Sequence, residues 1–237
     1  LVKDEAAIVL EEGKEYLVET RLGTLVRGEG IPSIGELVLK LKGAGQWPLK
    51  KKVVEALTTN ETSFFRDLDP FEIFRNELMP ELIKKRADKR QLRIWSAASS
   101  TGQEAYSLAM IIREHFPQLN SWDVQILGTD ISSYVLERAT SGVYNQLEVN
   151  RGLPAMMLVK YFNKEGVDWR VKDELRSMVR FDEQNLIKPY TKIPKSDIVF
   201  MRNVLIYFSQ DTKREILSRV RSILLPDGYL FLGAAET

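Results

Sequence analysis

The stretch QLRIWSAASSTGQEAYSLAM, residues 91–110, reads as a β-strand that stops abruptly, a loop of small residues and an amphipathic helix. An α/β protein builds a cofactor cradle in this way. Small residues at the strand's end let backbone amides approach a ligand, and a helix N-terminus adds a positive dipole end. No bulky side chain interrupts Ser96-Ala97-Ala98-Ser99-Ser100-Thr101-Gly102. The GxGxxG fingerprint is absent, which argues against a dinucleotide pyrophosphate. Glu104 follows Gly102 closely, and a carboxylate there repels a phosphate but attracts an ammonium or sulfonium group. A cationic, nucleoside-bearing cofactor is expected, and S-adenosylmethionine fits. Thr101-x-x-Glu104 also has the spacing of a capping box, in which Thr101 caps the helix and Glu104 reaches back to it. On spacing alone the two readings weigh equally.

Strand–helix alternation continues outward from this stretch. Strands are expected at 92–97, 123–129, 179–181, 197–201 and 228–232, the last after the turn Pro226-Asp227-Gly228. Helices are expected up to His115, over 132–140 and over 211–225. Such alternation predicts a mostly parallel, doubly wound sheet. The segment 150–178 does not fit a βαβ unit. It reads as an insertion holding a helix over 154–161 and a small β element around Trp169-Arg170-Val171. Upstream, 3–11, 14–27, 34–42 and 48–57 have helical periodicity and no strand, and Ser33 is placed to cap the third. A further helix over 71–85 follows Asp69-Pro70. The expected organisation is a small all-helical N-terminal domain, 1–67, and an α/β domain, 68–237.

The chain has 237 residues, a net charge of +1, no cysteine and one histidine. Balanced charge gives no sign of nucleic-acid binding or attraction to an anionic membrane. The absence of cysteine excludes disulfides, thiolate catalysis and Cys-ligated zinc, and fits a cytoplasmic protein. His115 alone cannot build a His-rich metal site, so no metal is expected. No apolar run reaches transmembrane length.

Several residues have the chemistry for a site. Asp130 ends the second strand, where an acid accepts hydrogen bonds from ribose hydroxyls in nucleotide-binding α/β folds; the plainer role is a helix cap. Asn185 has an amide for adenine and Leu186 an apolar cover, although Asn is also a common turn residue. In Arg202-Asn203-Val204-Leu205-Ile206-Tyr207-Phe208, polar groups leave the carboxyl end of a strand, where open sheets bind ligands. The alternative for Tyr207 and Phe208 is an ordinary place in the core. Asn60, Thr62 and Arg66 in NETSFFRD have the spacing to line one side of a cleft while Phe64 and Phe65 anchor the segment.

In order, NETSFFRD, WSAASSTGQEAYSLAM, GTDIS, RGLP, VRFDEQNL, FMRNVLIYF and DGYLFLGAAE resemble the CheR family of chemotaxis receptor methyltransferases across nearly the whole chain. The resemblance implies a Rossmann-like, S-adenosylmethionine-dependent protein-glutamate O-methyltransferase with a small β insertion. It implies cofactor contacts from Asn60, Thr62, Arg66, Ala97, Glu104, Asp130, Asn185, Leu186, Asn203 and Val204. Arg66 and Tyr207 would lie at the transferred methyl as the catalytic pair, and S-adenosylhomocysteine would be the product. The family fold continues into a final β-hairpin, which this chain is expected to lack. The expected partner is the helical cytoplasmic bundle of a methyl-accepting receptor, met by a monomer without membrane insertion. Lys14, Arg21 and Arg27, or Lys50, Lys51 and Lys52, would form its docking surface. The loop 163–168 is short and lacks paired glycines, so no tether to a receptor's C-terminal pentapeptide is expected. A methyltransferase with another substrate and a non-catalytic cofactor-sensing module are the alternatives; a dehydrogenase ranks last.

Overall fold

A computed structural model describes residues 1–9, 13, 15–43 and 45–236. The helical part comprises α1 (Val2–Ala6), α2 (Glu15–Gly28), α3 (Ile34–Leu41) and α4 (Trp47–Leu57). Val2, Ala6, Leu22, Val26, Leu37, Val53, Val54 and Leu57 form its core. Ser33 caps α3 by accepting the Glu36 N–H at 3.1 Å. Helix α1 is shorter than the expected 3–11. It ends at Ala7, whose φ of 53° is left-handed, and Val9 then donates its N–H to the Tyr207 carbonyl at 3.0 Å. A tertiary partner thus replaces the next helical bond. Part of the expected helix, 10–11, lies outside the described residues, as does Lys14.

Residues 69–85 run through α5 (Asp69–Ile73), a π-turn at Phe74–Leu78 and α6 (Met79–Lys85). The sequence predicts an uninterrupted helix here. Pro80 lacks an N–H and crowds the preceding turn, and the wider π-turn lies just before it.

The main sheet contains β1 (Gln91–Ala97) and β2 (Asp123–Asp130), separated by α7 (Gln103–His115). Helix α8 (Ser133–Ser141) follows, and then β3 (Val143–Tyr144), α9 (Gln146–Asn150), α10 (Ala155–Tyr161), β4 (Phe162–Glu165), β5 (Asp168–Val171) and α11 (Asp173–Arg176). The chain finishes with β6 (Val179–Glu183), β7 (Ser196–Met201), α12 (Gln210–Ile223) and β8 (Leu224–Leu232). The large sheet has the order β6-β2-β1-β7-β8, and every pairing is parallel. Strand order reverses between β1 and β7: the chain steps outward from β1 to β2 and β6, then crosses to β7 and β8 on the other side. This is the switch point at which open α/β sheets leave a crevice at their carboxyl edge. Strands β3, β5 and β4 form a separate antiparallel sheet that begins at Val143, ahead of the expected 150–178.

Two further expectations change. Pro226-Asp227-Gly228 does not precede the last strand but interrupts it: the register jumps from Ser196–Leu224 to Ile198–Tyr229. Asp227 lies there under a fork of Arg86, whose Nε also binds the buried Asp197 at 2.6 Å. The supposed loop 163–168 is mostly strand, with only Gly166 and Val167 joining β4 to β5.

Phe64 and Phe65 pack in the core of the main sheet with Phe71, Phe74 and Phe200, so their packing reaches across the division expected at 67/68. Gly152, in RGLP, presses on this segment. Its φ is +87°, and a Cβ there would lie 2.1 Å from the Phe64 carbonyl oxygen.

Candidate functional site

A cavity of about 480 Å³ opens at the carboxyl edge of the sheet, beside the switch point. Its size suits a nucleoside-sized ligand. Asn60, Thr62, Arg66, Glu104, Asp130, Asn185, Leu186, Asn203, Val204 and Tyr207 all line it. Ala97 does not; it is buried at the end of β1, and Ala98, Ser99 and Ser100 form the wall instead.

The wall after β1 is shaped by its own hydrogen bonds. Ala98 and Ser100 have left-handed φ values of 55° and 49°. Ser99 donates its N–H to the Thr129 carbonyl at 2.8 Å, and Ser100 donates to Asp130 Oδ2 at 2.9 Å. Asp130 Oδ1 accepts the Ser132 N–H at 3.1 Å. Burial raises the Asp130 pKa, and the Ser132, Ser100 and Ile131 N–H groups oppose that rise. The cap of α8 is not Asp130: Ser132 is the flanking residue, and Glu55 of α4 accepts both the N–H and the hydroxyl of Ser133.

The capping box expected at Thr101 and Glu104 does not form. Gly102, at φ 93°, is the residue flanking α7, and Thr101 Oγ1 instead meets Gln103 Oε1 at 2.8 Å. Glu104 turns into the cavity wall. It accepts from Ser96 Oγ at 2.7 Å and pairs with Arg202 at 3.0 Å. Burial raises its pKa, while the charge of Arg202 and the Ser96 and Arg202 hydrogen bonds pull the other way.

Arg202 joins the two sides of the site, and sequence reasoning gave it no role. Its Nη2 donates to the Arg66 carbonyl at 2.7 Å and to Asp67 at 3.0 Å, and its guanidinium lies 5.5 Å over the Phe71 ring. The signal available was an arginine emerging from an entirely buried strand, next to the residues singled out. Arg66 itself donates to the Glu61 carbonyl at 3.2 Å and has no ion pair among the described residues. Its segment is fixed by the Phe65 N–H on Ser107 Oγ at 3.0 Å and by Ser100 Oγ on the Asn60 carbonyl at 2.7 Å.

The Asn185 side chain is committed within the protein. Nδ2 donates to the Glu5 carbonyl at 2.7 Å and Oδ1 accepts the Ile187 N–H at 3.1 Å. The amide expected to meet adenine therefore holds α1, and Ala6, Ile8 and Val9 form another part of the cavity lining. Nothing in the pattern of these N-terminal residues signals that position. Arg21 is another correction. It does not project from a docking face but bonds the Leu57 and Thr58 carbonyls at 2.9 and 3.1 Å and lines the cavity. Lys51 and Lys52 are paired with Glu183 and Glu29.

The cavity is lined by three carboxylates, Glu61, Glu104 and Asp130, three guanidinium groups, Arg21, Arg66 and Arg202, and amides, hydroxyls and apolar groups. Arg202 is already paired with Glu104 and Asp67, so the wall with Glu104 and Asp130 can face hydroxyls and a cation while Arg66 can meet an anionic group. No group of residues able to hold a metal occurs among the described residues. Among the described residues no helix is long and apolar enough to cross a membrane.

Residues 60–237 match the family described as CheR methyltransferase, SAM binding domain. A chemotaxis protein methyltransferase of Pseudomonas aeruginosa is 48% identical over 234 residues, covering 97% of this chain and 84% of that protein. One of Pseudomonas putida is 46% identical over the same length and shares. One of Vibrio parahaemolyticus is 42% identical over 240 residues, covering 100% of this chain and 86% of that protein.

Proposed function

The chain belongs to the CheR methyltransferase family, and we propose that it methylates glutamate side chains in the cytoplasmic helical bundle of chemotaxis receptors, using S-adenosylmethionine. The observation that carries this reading is the cavity at the switch point, where Glu104 and Asp130 share one chamber with Arg66 and Tyr207. When bound, the donor supplies an electrophilic methyl that passes to a carboxylate oxygen, leaving a methyl ester and S-adenosylhomocysteine.

Glu104 attracts the donor's positive charge, and Asp130 accepts from its ribose hydroxyls. Leu186 covers the base, while Asn60, Thr62, Asn203 and Val204 complete the donor's surroundings and Asn185 adds to the wall. The substrate carboxylate is ionised at neutral pH, so none of the protein's groups needs to remove a proton. Arg66 orients that carboxylate through charge-assisted hydrogen bonds, and the Tyr207 hydroxyl helps to place it. The segment 60–66 and the turn bearing Tyr207 border the cavity, where a bound substrate would displace water. This suits a reaction in which opposite charges meet and disappear.

The protein acts as a cytoplasmic monomer in this reading. The two-residue turn between β4 and β5 supports an enzyme that needs no pentapeptide tether. Labelled methyl transfer to a receptor cytoplasmic fragment tests the function. The label is expected in glutamate and released as methanol by mild alkali; an alkali-stable product would refute the ester.

Donor binding also has an expected pH dependence. Burial sets the Glu104 pKa above the ordinary carboxylate range, and only the ionised form attracts the donor's cation. Affinity therefore falls as pH drops through that raised pKa, beginning above the usual value of about 4.3. Calorimetry between neutral and mildly acidic pH should record this loss, and Glu104→Gln should flatten it around a weaker Kd. A wild-type Kd constant across the range would contradict the assignment.

A further inference from the structure

We propose that Glu236 is a positioning residue for methyl transfer, its carboxylate fixing the turn that presents Tyr207 to the cavity. The inference rests on the role given to Tyr207 above. Glu236 is 8% exposed and does not line the cavity. Its two oxygens accept from five backbone N–H groups. Oε1 takes those of Val204 at 2.7 Å, Leu205 at 2.6 Å and Ile206 at 3.3 Å. Oε2 takes those of Asn203 at 2.8 Å and Gly233 at 2.7 Å.

Four of these donors are consecutive. They converge because Asn203 adopts a left-handed φ of 59° and Leu205–Tyr207 then winds into a 3-10 turn. Consecutive amides pointing inward make an anion nest. Here the anion is the chain's own carboxylate, brought from just beyond β8. Tyr207 is the next residue after the nest, and its N–H closes the turn on the Val204 carbonyl at 3.2 Å. Asn203, Val204 and Tyr207 face the cavity while Glu236 holds the backbone of 203–206 from behind. The contact is close on the other side as well: a Cβ on Gly233 would lie 2.6 Å from Glu236 Oε2.

Glutamine cannot replace this group. Whichever way its amide is turned, an NH2 faces N–H donors that need an acceptor. The converging dipoles then lose their charge-assisted bonds and the turn loosens.

The test uses the full chain with Tyr207→Phe, Glu236→Gln and the double variant. It measures methyl transfer to a receptor fragment, donor affinity by calorimetry, and amide exchange at residues 203–206. Glu236→Gln is expected to lower kcat by about tenfold or more, with KM for the receptor fragment within about threefold of wild type. Exchange at Leu205 and Ile206 should quicken. Because Glu236 acts through Tyr207, the double variant should be no slower than Tyr207→Phe alone, within about a factor of two.

Losses that multiply in the double variant, or a Glu236→Gln enzyme with wild-type kcat, overturn the inference. A Tyr207→Phe enzyme with wild-type kcat overturns the role of Tyr207 itself, and the inference with it. If Glu236→Gln does not fold, Gly233→Ala displaces the carboxylate without removing its charge and should reproduce the kcat loss. Wild-type kcat in folded Gly233→Ala would also count against the clamp.

Discussion

Arg66→Ala is expected to lower methyl transfer by about 10²-fold or more while donor affinity stays within several-fold of wild type. The asymmetry follows from where charge lies. Glu104 and Asp130 remain in place to hold a cationic nucleoside, and neither depends on the Arg66 guanidinium for a hydrogen bond. What disappears is the cation that orients an incoming carboxylate. The fold around it should survive, because Arg202 grips the Arg66 carbonyl rather than its side chain. Arg66→Lys should recover only part of the rate, since a point charge cannot reproduce a planar fork. Single-turnover transfer and calorimetry on the same preparations separate the two effects. Wild-type turnover in Arg66→Ala would remove the residue from the mechanism, and a matching loss of donor affinity would make it a binding residue only.

Gly152→Ala is expected to be among the most damaging single methyl additions in this chain. The added carbon would sit 2.1 Å from the Phe64 carbonyl oxygen, inside van der Waals contact with backbone, on a residue whose φ of +87° already disfavours a side chain. Strain of about 1–3 kcal/mol from the backbone conformation adds to about 1–3 kcal/mol from the forced shift. A total of about 4 kcal/mol corresponds to roughly 10 °C in Tm for a domain of this size. Activity should fall even below the melting temperature, because Phe64 and Phe65 anchor the segment that ends in Arg66. Thermal melting and methyl transfer at low temperature check the two parts. A Tm within a degree or two of wild type would mean that the segment can give way at little cost.

The fold was legible wherever one local pattern determined the outcome. The strand-loop-helix at 91–110 and the alternation after it specify a parallel sheet, because buried parallel strands are short apolar runs joined by helices. Ser33 was legible as a cap for the same reason. Elsewhere distant partners prevail. The helix over 3–11 stops early because Val9 bonds Tyr207, far along the chain. The Thr101 capping box fails because Glu104 has stronger partners in Ser96 and Arg202. Pro226-Asp227-Gly228 looks like a turn but sits inside a strand, where Arg86 holds Asp227.

For the site, spacing identified residues at strand ends, and the structure brings ten of the eleven named residues to one cavity. It could not reveal that Asn185 holds the Glu5 carbonyl, or that Arg21 turns inward, because each depends on how helices seat against the sheet.

Outside glycine, left-handed backbone among the described residues is concentrated around one place. Ala7, Phe65, Asp67, Ala98, Ser100 and Asn203 all belong to segments that supply the cavity's wall; only Arg90 lies elsewhere. At about 1–2 kcal/mol each, six such residues carry a burden comparable to the entire net stability of an ordinary domain. The chamber is thus a costly region of the molecule to build. Selection for heat resistance alone would tend to relax these six positions first and would erode the shape of the chamber as it did so.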